Sequence, residues 1–595
     1  MPGIVGLITK MPSQRAKQEL CRMVKSLQHE SFYVTGTWID ESLGVYVGWV
    51  ARESPTSDQM PLRSETGETV LVFSGEEFSD PESLKGPSYL VHLAEESPSF
   101  LSGLNGRFHG LLANRATNTV TLFNDRYGMH RVYYHDEKDA FYFAAEAKAI
   151  LAVRPELRSI DIKGMAELVT CGCVLNNRTV FGGIHVLPPA SEWVFKNSAI
   201  VSKGAYFEPR EWEEQESLDE ESYYQELKRV FSRNLPRYFS GEERIGISLT
   251  GGLDSRMIMA WHRAAPSSLP CYSFGGMFHD CQDVVMARKV ANACQQPHQV
   301  IPVGEEFLAQ FPHYSERTVY LTDGCSDVSH SADLYINEIA RGIAPVRMTG
   351  NYGGEVLRSV RAFKPMPPPP GLFRADISPY IEEAKQTYSD LIRCHPLSFA
   401  VFRQAPWHHY SLQALEQTQI ALRSPYLDND FVRTVFRAPK STLSSNDISL
   451  RLIADGSSAL RRIRTDRGLG GSYGVVRSAI LRNYLEFTFK AEYAYDYGMP
   501  QWVAHIDHAF SQLHLERLFL GRHKFYHFRV WYRDALSRYV RDMLLDSKTL
   551  SRPYLEPRTV EMMVNGHLKG DHNYTTAIHK LLTLEHLHRL FIDSQ

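Results

Sequence analysis

Disulfide staples, paired metal ligands, long apolar runs and blocks of like charge are all scarce in this 595-residue sequence. Its eight cysteines are scattered (Cys21, Cys171, Cys173, Cys271, Cys281, Cys294, Cys325, Cys394), and the one close pair reads C-G-C, which fits neither a disulfide framework nor a paired zinc motif. Reduced, mostly structural thiols in a cytoplasmic protein are expected. No stretch approaches the ~20 apolar residues of a membrane span, and the apolar run in M-P-G-I-V-G-L-I-T-K is too short for a signal peptide. With 65 basic and 68 acidic residues the net charge is only −3, and no long run of one sign favours nucleic acid or a membrane surface. Small-molecule or peptide substrates are expected instead, with a second copy or a pathway protein as macromolecular partner. Internal repeats and long low-complexity tracts are also missing.

What is present suits an ordinary globular chain, 43% hydrophobic and 22% charged, and too long for a single core. Up to about Tyr206 short apolar or alternating strands are punctuated by turns (G-V-Y-V-G-W, T-V-L-V-F-S, A-F-Y-F-A-A), which predicts a sheet-based layer domain. The charged, poorly patterned segment Glu208 to Ser222 reads as a linker. From Arg244 the pattern becomes strand, loop, helix, strand, helix, predicting a parallel sheet flanked by helices. Arg244 to Leu249 is the first buried strand, Ser255 to Ala265 the first helix, and P-C-Y-S-F-G-G the next strand. Beyond about residue 480 the chain reads as helical, and Pro365 to Pro370 cannot lie inside a helix.

The segment S-L-T-G-G-L-D-S-R, Ser248 to Arg256, sets two glycines, three hydroxyls and a carboxylate between a buried strand and a helix. Gly251 and Gly252 let backbone N–H groups turn toward an anion, and the helix start adds its positive dipole end. Thr250 and Ser255 can donate hydroxyl hydrogen bonds. Asp254 would repel bare phosphate and is expected to carry Mg²⁺. Leu253 stands where a G-x-x-x-x-G-K-[ST] loop needs lysine, so this is a different kind of phosphate loop. An ordinary capped strand-to-helix turn is the plainer alternative.

T-G-G-L-D-S closely resembles the S-G-G-L-D-S pyrophosphate loop of the asparagine synthetase family. N-D-R-Y-G-M-H-R-V-Y-Y (Asn124 to Tyr134), F-A-A-E-A-K-A-I-L (Phe143 to Leu151) and R-S-P-Y-L-D (Arg423 to Asp428) resemble further family segments in the same order. The resemblance implies an α/β chain in two parts. Residues 1–208 would form a class II glutaminase-like, N-terminal-nucleophile-type αββα sandwich. Residues 209–595 would form a doubly wound parallel-sheet adenylating domain with a helical C-terminal part. It also implies ATP and Mg²⁺ as cofactors, with pyrophosphate held by Leu249, Thr250, Gly251, Gly252, Leu253, Asp254 and Ser255. Ser273, Phe274 and Gly275 would hold adenine, unless S-F-G-G is an ordinary strand end, and Thr349 and Gly350 would join the nucleotide site.

Several family positions are changed. The family glutaminase begins C-G-I, because a cysteine thiol attacks the glutamine amide; here Pro2 takes its place. The family's H-R-G-P-D reads H-E-S-F-Y, with Glu30 and Tyr33 for arginine and aspartate, and N-G-E reads Ser74, Gly75, Glu76. In the synthetase part S-G-E-G-S-D-E reads T-G-N-Y-G-G-E, so Asn351 and Gly354 lack carboxylates and Glu355 keeps one. Gly354 stands at the expected second Mg²⁺ ligand. Glu355 either supplies that ligand from the next position or simply starts a helix; Tyr352 either faces substrate or packs. The family lysine falls at Asp466, and Arg467 either replaces it or belongs to a solvated basic face with Arg461, Arg462 and Arg464. Arg467, Glu355 and Tyr352 are the expected catalytic residues, and Asp254 and Glu355 the metal ligands. His408 and His409 read as ordinary surface or partly buried histidines, and Phe525 to Trp531 as helix packing. The expected activity is ATP-dependent amide formation with an amine that the chain does not itself release from glutamine. Free or partner-supplied ammonia is a second expectation, and a nucleotide-binding pseudoenzyme a third.

Overall fold

The computed structural model describes residues 2–53, 57–79, 88–471, 475–499, 501, 504 and 520–593. The N-terminal part stacks two antiparallel sheets. In one, the spatial order is His185–Val186, Tyr133–Glu137, Ala140–Ala144, Gly3–Thr9, Val45–Arg52 and Tyr33–Asp40. In the other it is Ala199–Ala205, Ser191–Lys196, Thr119–Asn124, Gly106–Asn114, Thr69–Glu77 and Leu62–Arg63.

The period-2 rule for strands explains the layering. Along Gly3–Thr9, Ile4 and Ile8 face the inter-sheet core with Val47, Val72 and Leu111, while Val5 and Leu7 face Ala16, Leu20 and Met23 of the helix Ser13–Leu27. The second sheet is covered on its far side by Tyr89–Glu96 and Phe100–Gly103, through Leu90, Val91, Phe100 and Leu101. Helix, sheet, sheet and helix layers follow, as the resemblance implied.

The third sheet is parallel throughout, ordered His298–Pro302, Cys271–Gly275, Ile245–Ser248, Val346–Met348 and Ala421–Arg423. Its first strand in the chain is central. The chain winds outward on one side, then crosses to the other through Val346–Met348. Such a reversal opens a crevice at the carboxyl ends of the strands where ligands bind in doubly wound sheets. The loops after Ser248 and Met348 are side by side at that crevice.

Local details depart from the sequence reading in two places. The helix after the glycine loop is Asp254–Trp261, four residues shorter at its end, because His262 turns extended (φ −87°, ψ 104°). The segment 208–222 is more than a linker. It holds the one-turn helix Arg210–Glu213, whose Trp212 is buried under Phe402 and the Arg126 guanidinium, and Asp219 caps the next helix through Glu221 N and Ser222 N. Among the described residues the C-terminal part is helical as read, including Val475–Tyr493, Pro557–Lys569 and Thr575–Leu587, while 502–503 and 505–519 lie outside them. No helix among the described residues is long and apolar enough to cross a membrane.

The two sheet systems are joined by buried polar contacts between residues distant in sequence. Asp428 accepts from Asn105 Nδ2 and Asn234 Nδ2, both at 2.8 Å, and from Tyr238 OH at 3.1 Å. Arg52 Nη1 donates to Gln417 O (2.7 Å) and Ile420 O (2.9 Å), and Tyr33 OH donates to Thr418 O at 2.7 Å. Tyr33→Phe leaves a buried carbonyl without that donor. The expected result is a loss of about 1–3 kcal/mol, read as a lower unfolding midpoint in calorimetry with an unchanged circular dichroism spectrum.

Candidate active site

The glycine loop begins where the central strand ends. Gly251 is fixed by its surroundings as much as by its own freedom: a Cβ there would stand 2.7 Å from Asp466 Cβ and 3.1 Å from Asp283 Oδ1. Gly251 N donates to Asp283 Oδ1 at 2.7 Å, and Gly252 N to Thr250 Oγ1 at 3.3 Å. Ser255 Oγ lies 3.2 Å from both Thr250 N and Thr250 Oγ1, closing the loop on itself. Leu249 and Leu253 are buried beneath it.

Arg256, fully buried, locks this loop to a distant segment. Its guanidinium donates to Gly251 O (3.1 Å), to Arg464 O (3.1 Å) and to Ile463 O, while Asp466 N donates to Gly251 O at 3.1 Å. Burial brings its pKa down to about 10, opposed by Asp466. It therefore remains a cation at neutral pH, spent on carbonyls.

The loop Thr349 to Tyr352 meets this helix start edge-on. A Cβ at Gly350 would stand 2.6 Å from Ser255 N, and one at Gly353 2.6 Å from Asp254 Cγ. Only glycine permits that approach. Thr349 Oγ1 donates to Asn351 Oδ1 at 2.9 Å, and Ser424 Oγ to Asn351 O at 2.7 Å. Tyr352 then turns left-handed (φ 71°) to launch the helix Gly353–Arg358. A non-glycine residue held there stores strain that neighbouring structure must offset. Its ring is buried 5.7 Å from the His409 ring, and burial raises its phenol above the ordinary range.

Glu355 points to the same place. Burial, with the Asp254 charge adding to it, raises its carboxyl to about 7. Its nearest cationic candidate is His409, with Nε2 3.8 Å from Glu355 Oε1. Burial lowers that imidazole to about 3, so it is neutral, and its Nε2 is buried without a hydrogen-bond partner. A carboxyl that titrates near neutrality beside an unpartnered imidazole is a proton-handling arrangement.

Asp254 was expected to hold magnesium, with Glu355 as the second ligand. Arg358 Nη2 donates to Asp254 Oδ2 at 2.8 Å, and Asp254 Oδ1 is buried without a partner. Glu355 faces His409. Among the described residues no group of three His, Cys, Asp or Glu side chains could hold a metal ion. The Asp254 oxygen that accepts from this guanidinium is not free for magnesium, which takes one or two carboxylates beside substrate phosphates and water.

Ser273 is turned inward, its Oγ donating to Leu249 O at 2.7 Å and lying 2.9 Å from His298 Nε2. Phe274 packs against Phe525, and Gly275 abuts Val300, its Cβ position 2.6 Å from Val300 Cγ1. Their backbone remains at the crevice edge. Arg467 stacks on Phe489, its guanidinium carbon 3.8 Å from the ring centre, with Nε 3.9 Å from Asp466 Oδ2. Beside the loop, Asp283 and Asp466 are both raised by burial; Asp466 adds to the effect on Asp283 and Arg467 opposes it.

Pro2 is buried at the start of the first sheet. Around it Ile4 N donates to His109 Nε2 at 3.0 Å, and a Cβ at Gly3 would stand 2.2 Å from Ala145 Cβ. Glu30 and Glu76, at two of the changed or retained family positions, reach into the other part of the chain. Gln419 Nε2 donates to Glu30 at 2.7 Å, and Arg423 pairs with Glu76 at 2.7 Å.

Sequence reasoning missed Arg358, His409, Asp283 and Arg256. For Arg358 a signal existed, since Gly354 and Arg358 are four apart on one helix and share a face. For His409 there was none, because its partner is 54 positions away, as the two residue numbers show.

A glutamine amidotransferase domain model matches residues 88–207, and an asparagine synthase model matches residues 226–393. Glutamine-hydrolyzing asparagine synthetase 1 of Bacillus subtilis is 22% identical over 331 residues, covering 52% of each chain. A putative glutamine-hydrolyzing asparagine synthetase of Methanocaldococcus jannaschii is 25% identical over 209 residues, covering 34% of each. The chain thus spans about half the length, or less, of these curated relatives. Among solved structures, glutamine phosphoribosylpyrophosphate amidotransferase from B. subtilis, complexed with ADP and GMP, matches 50% of this chain and 65% of its own at 14% identity. Its TM-score of 0.26 is too low to bear on the site.

Proposed function

Because the chain belongs to the asparagine synthetase family, we propose that it is an ATP-dependent carbon–nitrogen ligase. It adenylates a carboxylate and passes the acyl group to an amine. The observation that carries this reading is the meeting of two loops at the sheet's switch point: the Thr250 to Ser255 phosphate loop against Gly350 and Gly353, with Glu355 beside Asp254. A carboxylate oxygen attacks the α-phosphorus of ATP and the bond to the bridging oxygen breaks. The departing pyrophosphate lies against the start of the helix Asp254–Trp261, where the helix dipole stabilises its charge, while Gly251 N and Gly252 N hold the loop's shape through Asp283 and Thr250.

The acyl-adenylate is then open to the amine. An amine bound as its ammonium form cannot attack until it loses a proton, and Glu355, raised to about 7, is matched to take that proton at neutral pH. Nitrogen adds to the acyl carbon, the acyl–phosphate bond breaks, and AMP leaves. Tyr352 and His409 wall the base from water.

The nitrogen source is read as an amine other than ammonia released from glutamine by this chain. Pro2 carries no thiol, and Glu30, Tyr33 and Glu76 are engaged in contacts between the two parts of the chain. The test is to incubate the protein with ATP, magnesium, and panels of acids and amines free of ammonium. The expected products are AMP, pyrophosphate and an amide. Turnover only when ammonium is added would overturn the amine assignment. ADP as product, or no nucleotide turnover with any pair, would overturn the ligase itself.

A further inference from the structure

We propose that the Arg358 guanidinium, in place of a magnesium ion held by the protein, is the cation that joins Asp254 to the departing pyrophosphate. The proposal rests on the ligase reading for the identity of its ligand, and on geometry for everything else.

A carboxylate at the first turn of a phosphate-binding helix requires a cation, since two anions in one crevice repel. Arg358 is in that position, with Nη2 2.8 Å from Asp254 Oδ2. The other oxygen, Oδ1, is buried without a partner. Gly353 lets the pair form: a side chain there would collide with Asp254 Cγ at 2.6 Å. Gly354 completes the arrangement. A Cβ at that position would point to within 3.2 Å of Arg358 Nη2, so a carboxylate there would compete with Asp254 for the same guanidinium. The missing side chain and the added cation therefore occupy one volume.

The neighbouring cations are otherwise engaged. Arg256 gives its N–H groups to Gly251 O, Ile463 O and Arg464 O. Arg347 is bound to Ser248, Asn337 and Glu416 below the sheet end, and Arg467 lies on Phe489. Arg358 is anchored by Nη1 to Ser449 Oγ at 3.0 Å. A guanidinium carries five N–H donors in a planar fork, so bonds to Ser449 and Asp254 leave others to bridge a phosphate oxygen. Its side chain keeps 14% of its surface accessible, enough for a ligand to reach it.

The experiment is titration calorimetry of the full chain with inorganic pyrophosphate, in EDTA and in magnesium. The parent should bind in both, with affinities within about threefold, because the fork supplies the charge-assisted contacts. Arg358→Gln should weaken binding in EDTA by about tenfold or more. Adding Gly354→Asp to that variant should make binding magnesium-dependent, since two carboxylates then face one another. Parent binding that weakens at least about tenfold in EDTA overturns the proposal without recourse to any variant. So does unchanged binding by a folded Arg358→Gln protein, or absence of pyrophosphate binding in both buffers. AMP formation judges the ligase reading separately and can succeed where this proposal fails.

Discussion

Glu355→Gln is expected to stop amide formation while leaving adenylation in place. Glutamine preserves the shape of the side chain and cannot accept the amine's proton. Loss of a positioned general base costs about 10²–10⁴ in rate. Exchange of labelled pyrophosphate into ATP, which reports formation of the acyl-adenylate alone, should persist. The parent's amide-forming rate should rise with pH through about 7, where the Glu355 carboxyl ionises, and then level off. The variant should have lost that rise. Stability runs the other way. The folded-state pKa is raised above the unfolded value, so the folded protein binds more protons over the interval between them. Stability is full below the ordinary glutamate range and declines as pH climbs toward about 7. Glu355→Gln removes that decline, so at pH 8 the variant should unfold at a higher temperature than the parent. Near pH 4 the two should be alike. A catalytic loss accompanied by a gain in neutral-pH stability separates a functional base from a helix-start charge, whose removal would destabilise.

Those two alternatives for Glu355 were both open in the sequence, and the reason is physical. The features read correctly are local ones. Two glycines between a buried strand and a helix mark a tight turn over consecutive residues, and the strand Ile245–Ser248 and the helix Asp254–Trp261 stand where periodicity put them, to within a few residues. The strands read from G-V-Y-V-G-W and A-F-Y-F-A-A are likewise local, and stand as Val45–Arg52 and Ala140–Ala144. What escaped depends on separations that composition and spacing do not carry. Tyr33 is changed from the family's aspartate and reads as a simple loss. Its hydroxyl finds Thr418 O, 385 positions away. His409 becomes interesting only when the fold puts it 3.8 Å from Glu355. Asp254 reads as a metal ligand from its own chemistry. Arg358, brought back by one short helix, occupies one of its two oxygens.

Gly350→Ala is the second large effect, and it tests the crevice itself. The strand Val346–Met348 delivers this residue against the start of the helix Asp254–Trp261, where the added Cβ would lie 2.6 Å from Ser255 N and 3.0 Å from the Asp254 carbonyl carbon and Cβ. These are backbone and near-backbone atoms, so no flexible side chain can yield. The loop Thr349 to Tyr352 is itself fixed: Thr349 N donates to Arg423 O at 3.0 Å, Ser424 Oγ binds Asn351 O at 2.7 Å, and Tyr426 OH binds Asp254 O at 2.7 Å. The two loops must therefore separate, which costs about 1–3 kcal/mol in a packed interior. That amount lowers the unfolding midpoint without unfolding the protein. Catalysis should fall much further. A displacement of about 1 Å between groups that must converge on one phosphate can cost about 10² in rate. The expected result is a folded protein whose pyrophosphate exchange and amide formation both drop by about that factor, in contrast to Glu355→Gln, where only the second step fails. Exchange at the parent's level would mean that the loops act independently, and that the juxtaposition of Gly350 with Ser255 does not build the site.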